Sequence, residues 1–249
     1  MLKIKPKITL LLVFCFTLLT ACATTPEDEE GFDDKTAGAL YEEAKAALSQ
    51  EDYETAIQKL ESLEARFPFG KYAQQAQLDM AFAYYKFEEP ESSIASANRF
   101  IKLYPRHPHV DYAYYLKGLV KFEQGQSVFD GLASQDPAKR DPEAANRSFQ
   151  YFRELVSRYP QSKYSADAVE RMKYLKNNLA RHELFVAQLY MERSAYVAAA
   201  NRVKYIIENF QTTPVMPDAL LLLANAYDNL LLHDLATDAR RVYAHNYEK

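Results

Sequence analysis

Two segments with the same layout decide the fold: AKAALSQEDYETAIQKLESLEARFP at residues 44–68 and AFAYYKFEEPESSIASANRFIKLYP at residues 81–105. Each begins with a small residue, has a second small residue 12 positions later, and ends in an aromatic residue followed by proline. The same spacing recurs along the chain, with extra residues in the third copy. The repeated positions are Ala44, Ala56, Leu60 and Pro68; Ala81, Ser93, Ala97 and Pro105; Gly118, Ser148, Phe152 and Pro160; Ala199 and Val203; and Ala224, Ala236 and Arg240.

This layout predicts pairs of antiparallel helices. Small residues let two helices approach closely, and a proline after an aromatic residue marks the place where a helix stops. Pro68 and Pro105 are 37 residues apart, which is close to the period of about 34 residues in tetratricopeptide (TPR) repeats. About five such hairpins predict an all-α protein, an α-solenoid in which every unit buries its apolar surface against its neighbours.

Two stretches depart from the repeat. Residues 125–142 contain two glycines and two prolines, and we predict a loop there that is longer than ordinary connections. Residues 165–193 lack both glycine and proline and keep apolar residues at helical spacing, which predicts one long helix. Because His182 falls on that apolar stripe, we expect a packed, hydrogen-bonded histidine rather than a metal ligand.

The first residues predict an export signal. Three lysines precede an uncharged, mostly apolar run over residues 8–19, which is shorter than the roughly 20 apolar residues that span a bilayer. The string LTAC at residues 19–22 resembles the lipobox of bacterial lipoproteins, whose cysteine receives acyl chains such as palmitate after cleavage. We therefore predict a signal peptide over residues 1–21 and lipidation of Cys22.

The mature chain is predicted to be anchored to a membrane by its acyl chains, without inserting into the bilayer itself. Cys15 lies inside the predicted signal, so Cys22 alone remains and no internal disulfide can form. An acid-rich run over residues 24–35 predicts that residues 22–36 are a flexible, solvated tether. Cleavage removes three lysines and no acids, which takes the net charge from -4 to -7.

Composition disfavours several classes of function. With 6 glycines in 249 residues, the chain has no phosphate-binding glycine-rich motif and no G-x-S-x-G string. A pI of about 5.8 argues against a nucleic-acid partner. His107 and His109 lie near no cysteine, whereas a metal site needs three or four ligands. We therefore expect no catalytic residue, cofactor, metal or nucleic acid, and a tyrosine-rich surface that binds protein.

Several short strings along the chain are distinctive beyond the repeat spacing, namely RFPFGKY (66–72), QQAQLD (74–79), AYYK (83–86), FIKL (100–103), KGL (117–119), RDP (140–142) and NRV (201–203). These strings resemble the BamD family, the TPR lipoprotein subunits of the outer-membrane β-barrel assembly (BAM) complex. The resemblance covers nearly all of the mature chain, but it weakens in the last helix, and Phe67 stands where the family often has tyrosine.

The resemblance implies a non-enzymatic scaffold on the periplasmic face of the outer membrane of a Gram-negative bacterium. Residues 37–110 would receive unfolded outer-membrane proteins for folding and insertion. Residues 111–249 would hold a POTRA domain of BamA and also contact BamC and BamE. By position, the resemblance implies partner-binding roles for Asn201 and Arg202. The implied client-peptide groove contains Phe67, Tyr72, Gln75, Asp79 and Tyr84.

An alternative of another class stays open. Sequences related to this family have been called competence lipoproteins, which is consistent with a peptidoglycan-associated envelope lipoprotein that carries a TPR protein-binding module. Co-purification separates the two hypotheses, since the first predicts BamA and the second predicts murein. An enzyme that uses residues 125–142 as a lid is disfavoured, because no nucleophile or metal constellation accompanies the loop.

Overall fold

The computed structural model describes residues 36–126 and 136–248, which form ten α-helices, one short 3₁₀ helix and no strand. The predicted all-α class is therefore confirmed. The helices are α1 (Ala37–Ser49), α2 (Tyr53–Arg66), α3 (Lys71–Lys86), α4 (Pro90–Leu103), α5 (Val110–Gln126), the 3₁₀ helix (Pro137–Lys139), α6 (Glu143–Arg158), α7 (Ser165–Glu192), α8 (Tyr196–Asn209), α9 (Met216–Asn229) and α10 (His233–Tyr247).

All of these helices belong to one compact unit, residues 37–249. The predicted signal peptide, the predicted lipidation of Cys22 and the tether as far as residue 35 lie outside the described residues. Within the described part of the chain, no helix combines the length and the apolar character needed to cross a bilayer.

The helices pair in chain order into five hairpins, α1–α2, α3–α4, α5–α6, α7–α8 and α9–α10, and consecutive hairpins pack against each other. The first helices of neighbouring hairpins also contact each other, since α1 contacts α3 and α3 contacts α5. The described residues form three apolar cores along this series, centred on Leu60, Phe152 and Val203. The predicted α-solenoid of helical hairpins is confirmed, because each hairpin buries its apolar surface against the next.

The repeated small residues are the points where the two helices of a hairpin meet. Those that are at most 1% exposed are Ala44, Ala56, Ala81, Ser93, Ala97, Ser148, Ala199, Ala224 and Ala236. Ala187, which is not among the predicted positions, is fully buried and stands 12 residues before Ala199. Leu60, Phe152 and Val203 are fully buried four positions after the second small residue. Arg240 departs from this pattern, since it is exposed and pairs with Asp228.

The third hairpin shows why one of these positions is glycine. A Cβ added to Gly118 would lie 2.3 Å from the ring of Phe152, far inside van der Waals contact. Ser148 Oγ also donates to the Gly118 carbonyl over 2.9 Å, and Ser93 Oγ makes the equivalent bond to the Ala81 carbonyl over 2.7 Å. Close backbone approach and a buried hydrogen bond therefore coincide at this crossing.

The helix ends follow from local residues. The helices α2, α4 and α6 end one residue before Phe67, Tyr104 and Tyr159, so the aromatic–proline pairs stop helices as predicted. The turns inside four hairpins use a residue of positive φ, seven positions after the first small residue, namely Glu51, Glu88, Ser194 and Leu231. Gly125 stands at the corresponding place in the third hairpin, where the extra residues begin.

The prediction of a loop over residues 125–142 is wrong at its start but agrees with the structure at its end, since α6 begins at Glu143. The helix α5 continues to Gln126, and the 3₁₀ helix Pro137–Lys139 precedes α6; residues 127–135 lie outside the described residues. One glycine lowers helix stability by only about 1 kcal/mol, so packing of Gly125 beside Ala144 is sufficient to keep α5 helical there.

The long helix α7 is confirmed at Ser165–Glu192 and takes part in two cores. Its first half contributes Ala168 and Leu175 to the core around Phe152, and its second half contributes residues from Leu179 onward to the core around Val203. His182 is half-buried, with Nδ1 2.8 Å from the Ala138 carbonyl oxygen. Because a carbonyl only accepts, Nδ1 carries the proton, and His182 is the packed, hydrogen-bonded residue that we predicted.

Candidate binding surfaces

Hydrogen bonds between tyrosines and carboxylates join the first helices of successive hairpins. Tyr41 Oη on α1 donates to Asp79 Oδ2 on α3 over 2.8 Å. Tyr85 on α3 donates to Glu123 on α5, and Tyr115 on α5 donates to Asp167 on α7 over 2.6 Å. We call the side of the molecule that carries these bonds the first-helix surface. These bonds hold neighbouring hairpins in register at half-exposed positions.

Three of the five predicted groove residues come together on this surface. Gln75 Nε2 donates to Asp79 Oδ1 over 3.1 Å, and Lys45 Nζ lies 3.7 Å from the other Asp79 oxygen. The ring of Tyr72 packs against Tyr41 at a centroid distance of 5.5 Å. Asp79 is thus the centre of a network whose tyrosine donor, Tyr41, is missed in the sequence. One signal could have found Tyr41, since it and Tyr115 stand three residues before the small residue of their hairpins.

The other two predicted groove residues lie elsewhere. Tyr84 Oη donates to Glu61 Oε1 on α2 over 2.6 Å, so it points toward the second helices of the hairpins and away from Asp79's network. Phe67 follows α2 directly, packs against the first apolar core, and has the Arg66 guanidinium 5.5 Å from its ring centre. The structure therefore divides the predicted groove between two sides of α3.

The tyrosines on both sides remain neutral donors at neutral pH. Burial and then the hydrogen bond to Glu61 raise the pKa of Tyr84 to about 12. Burial and the bond to Asp167 likewise raise the pKa of Tyr115 to about 12. Although burial acts to raise it, the pKa of Asp167 is lowered by hydrogen bonds from Tyr115 and Arg171. Each pair is thus a neutral phenol bonded to a carboxylate, the stronger, charge-assisted kind of hydrogen bond.

A buried lysine that the sequence reasoning missed lies in the third hairpin. Lys117 is 6% exposed, with its ammonium 4.3 Å from the ring centre of Tyr151 and 5.7 Å from that of Tyr114. Burial lowers the pKa of Lys117, and the two rings compensate in part through cation–π attraction. This lysine packs between α5 and α6 with little of its surface in solvent.

The two predicted partner-binding residues are adjacent in sequence but differ in their surroundings. Asn201 is exposed and lines an apolar hollow of about 450 Å³ between the turns of the last two hairpins. Val197 at this hollow is 60% exposed, and Leu230 is half-buried. Arg202 instead donates from Nη1 to Glu183 Oε2 over 2.9 Å, which ties α8 to α7. The guanidinium keeps part of its surface in solvent, since the Arg202 side chain is 44% exposed.

A mixed-charge hollow of about 880 Å³ lies where α5 ends and α6 begins. Lys121 in its wall bonds Glu91 over 3.0 Å, and Arg140 donates to the Gly125 carbonyl over 3.2 Å. In the part of the chain that the structure describes, no group of three metal-ligating side chains comes together. The described surfaces offer aromatic rings, carboxylates and amides, which are groups for recognising protein.

Comparison with known proteins gives matches along the whole series of hairpins. The family model for the outer membrane lipoprotein YfiO matches residues 33–242. The outer membrane protein assembly factor BamD of Neisseria gonorrhoeae is 45% identical over 234 residues, 93% of this chain and 88% of the relative. BamD of Vibrio cholerae is 37% identical over 222 residues, 89% of this chain and 91% of that protein. Among solved structures, the TPR domain of P58(IPK) is 14% identical with a TM-score of 0.45, covering 85% of this chain and 61% of that one.

Proposed function

Because the chain belongs to the YfiO family of outer membrane lipoproteins, which includes BamD, we propose that it is a non-enzymatic scaffold for outer-membrane protein assembly. The observation that carries the proposal is the extent of the likeness. The alignment with a relative named as an assembly factor covers 88% of that relative at 45% identity. A match of this extent includes every hairpin, so it includes each surface that a scaffold of this kind would use.

In this proposal the two ends of the hairpin series have different partners. Residues 37–110 receive unfolded outer-membrane proteins, and residues 111–249 hold a POTRA domain of BamA and contact BamC and BamE. The apolar core around Phe100 and Phe152 continues across the boundary between these regions. Shared packing would therefore connect client capture at one end to BamA at the other without a hinge between them.

BamA binding is proposed at the turns of the last two hairpins. Asn201 stands there in an apolar hollow beside Val197 and Leu230, and accessible apolar side chains around a polar group are typical of an interface core. We propose that Arg202 shares its guanidinium between Glu183 and a carboxylate of BamA, because five N–H donors allow both bonds.

Co-purification tests this arrangement. Arg202→Glu should reduce recovery of BamA from detergent-solubilised membranes, whereas Lys204→Glu, an exposed charge reversal on the same helix, should leave it unchanged. Normal recovery of BamA with the Arg202 variant would rule out the shared ion pair. Failure of the wild-type chain to recover BamA, together with capture of murein, would favour the peptidoglycan-associated alternative.

The client groove is proposed on the first-helix surface, at Tyr72, Gln75 and Asp79. A photo-crosslinker at position 72 should trap C-terminal strands of outer-membrane proteins. A crosslinker at position 84 reports on the opposite side of α3, since Tyr84 bonds Glu61 there. Trapping at neither position would count against client binding by the N-terminal hairpins.

Lipid anchoring through Cys22 on the periplasmic face is proposed for the localisation. Acyl chains at this cysteine would hold the hairpins close to the outer membrane through the acidic tether. Replacing Cys22 with alanine should move the protein from the outer-membrane fraction to the soluble periplasmic fraction. Full retention of the Cys22→Ala variant with outer membranes would contradict the anchor.

A further inference from the structure

The α2–α4 groove is an open hollow of about 570 Å³ on the second-helix side of the first two hairpins. It lies on the side of α3 opposite the Asp79 network. Its lining residues are Glu61, Glu64, Ala65, Gln77, Met80, Tyr84, Ser92, Ala95, Ser96 and Arg99. Nothing in the family likeness assigns a role to this groove as a whole.

Gln77 is the unusual residue of the groove. It is 4% exposed, yet within the described ranges its side-chain amide has no hydrogen-bond partner. Every fully buried side-chain nitrogen or oxygen of the described residues does have a partner. The small exposed part of Gln77 must therefore include its amide, and this exposed part faces the groove.

An amide placed this way destabilises the free protein, because burial removes most of its water without supplying a bond in return. Leucine has nearly the same volume and would fill the site without this cost. A glutamine at such a place is explained when an external group completes its hydrogen bonds.

The charges of the groove restrict what that group can be. Glu61 accepts from Tyr84 over 2.6 Å, and Glu64 lies 2.5 Å from the Arg99 guanidinium. Glu64 and Arg99 neutralise each other, but Tyr84 is a neutral donor and leaves Glu61 charged, so the groove carries one negative charge and disfavours an anion. The apolar residues of the lining are Met80, Ala65 and Ala95.

We propose that the α2–α4 groove binds the backbone of an extended segment of an unfolded outer-membrane protein, with Gln77 pairing one peptide unit. A glutamine side chain offers both an acceptor and donors, which match the N–H and C=O of a single residue. Strands of outer-membrane barrels alternate apolar and polar residues over about ten positions, so an apolar side chain would rest on Met80. This site deepens the proposed scaffold function and rests on it.

The test is fluorescence anisotropy with a labelled peptide of about ten residues, copied from a membrane strand of a β-barrel porin. It uses the purified mature chain with Cys22 replaced by serine. Gln77→Leu should weaken binding about tenfold, the effect of losing one or two peptide hydrogen bonds, while its melting temperature stays the same or rises. Gln74→Leu, on the same helix but outside the groove lining, should change the affinity less than twofold.

A second variant keeps the proposal testable if Gln77→Leu does not fold. Ser96→Cys places a thiol in the groove, and its reaction with N-ethylmaleimide should block peptide binding. Unchanged affinity in both the leucine variant and the blocked variant would overturn the proposal. So would a lower melting temperature for Gln77→Leu, because the amide would then have a structural partner.

The outcome is separable from that of the scaffold function. Failure of the peptide to bind the wild-type chain, with normal recovery of BamA, would refute the groove alone. Loss of BamA recovery from wild-type membranes would refute the scaffold function, whatever the peptide does.

Discussion

Replacing Gly118 with alanine tests the packing rule on which the whole series of hairpins depends. The added Cβ would lie 2.3, 2.4 and 2.8 Å from three atoms of the Phe152 ring. Phe152 is fully buried at the centre of its core, so the ring cannot move into solvent. Either α5 and α6 separate or Phe152 leaves its rotamer, and both movements disturb the core.

The expected magnitude combines two opposing effects. Overpacking a dense core costs about 1–3 kcal/mol, and contacts this short favour the upper end of that range. Removing a glycine from a helix interior returns about 1 kcal/mol. The net loss in the free energy of unfolding should be about 2 kcal/mol, which lowers the melting temperature of a chain of this size by about 4–8 °C.

The repeat itself supplies the compensating change. In the first hairpin Ala44 faces the equivalent position Leu60, and both are fully buried. Phe152→Leu alone should cost about 1–2 kcal/mol through lost packing. The double variant Gly118→Ala/Phe152→Leu reproduces the alanine–leucine pair and should be at least 1 kcal/mol more stable than the sum of the single effects predicts.

Urea unfolding followed by circular dichroism measures these values on the mature chain with Cys22 replaced by serine. The matched control is Gly125→Ala in the same helix, where the nearest atom to an added Cβ, in Ala144, is 3.7 Å away. The control should be neutral or slightly stabilising. Equal stability of the Gly118 and Gly125 variants, or strict additivity with Phe152→Leu, would refute the reasoning.

Three further predictions concern other features of the hairpins. Ser93→Ala removes the buried bond to the Ala81 carbonyl and should cost about 1 kcal/mol in urea unfolding; a loss above about 3 kcal/mol would mean that the serine also sets the helix spacing. Leu231→Gly relieves a positive φ of 61° and should raise the free energy of unfolding by about 0.5–1 kcal/mol; a lower melting temperature would argue against backbone strain. The pKa of Tyr115 is raised to about 12 from a usual 10 by burial and its bond to Asp167, so its contribution to stability is complete below pH 10 and is lost as the pH rises to 12. Tyr115→Phe should therefore destabilise at pH 8 and converge with wild type near pH 12, and a constant difference would contradict this linkage.

The sequence predicted most of the fold because the determinants of a hairpin are local. The spacing of Ala44 and Ala56 alone indicates a helix crossing, and Phe67 with the following proline indicates a helix end. The start of the insertion was mispredicted at Gly125 because a glycine signals a turn only when packing does not hold the helix. Ala187 was missed because α7 is about twice as long as the other helices, which hides the register of the fourth hairpin.

The candidate surfaces were less predictable because their contacts join distant residues. Asp79 and Tyr84 are five positions apart and were assigned to one groove, yet they bond Tyr41 and Glu61 on different sides of α3. From the sequence alone Arg202 is available for an ion pair, and only the packing of α8 on α7 shows that Glu183 already accepts from it. Such pairs depend on how helices stack, which no short window of sequence contains.

By itself, the sequence determined the all-α class, the number of hairpins, most helix ends and the family. The spacing of small residues and the short strings can be recognised without knowing which residues pack together. Tertiary structure alone decided which polar groups are satisfied and which are not. Gln77 shows the difference: in the string QQAQLD it looks like its two neighbours, but packing of α2 and α4 against α3 buries it and leaves its amide without a partner among the described residues. Burial and hydrogen bonding are properties of the packed hairpins, and they locate the surfaces on which binding can be tested.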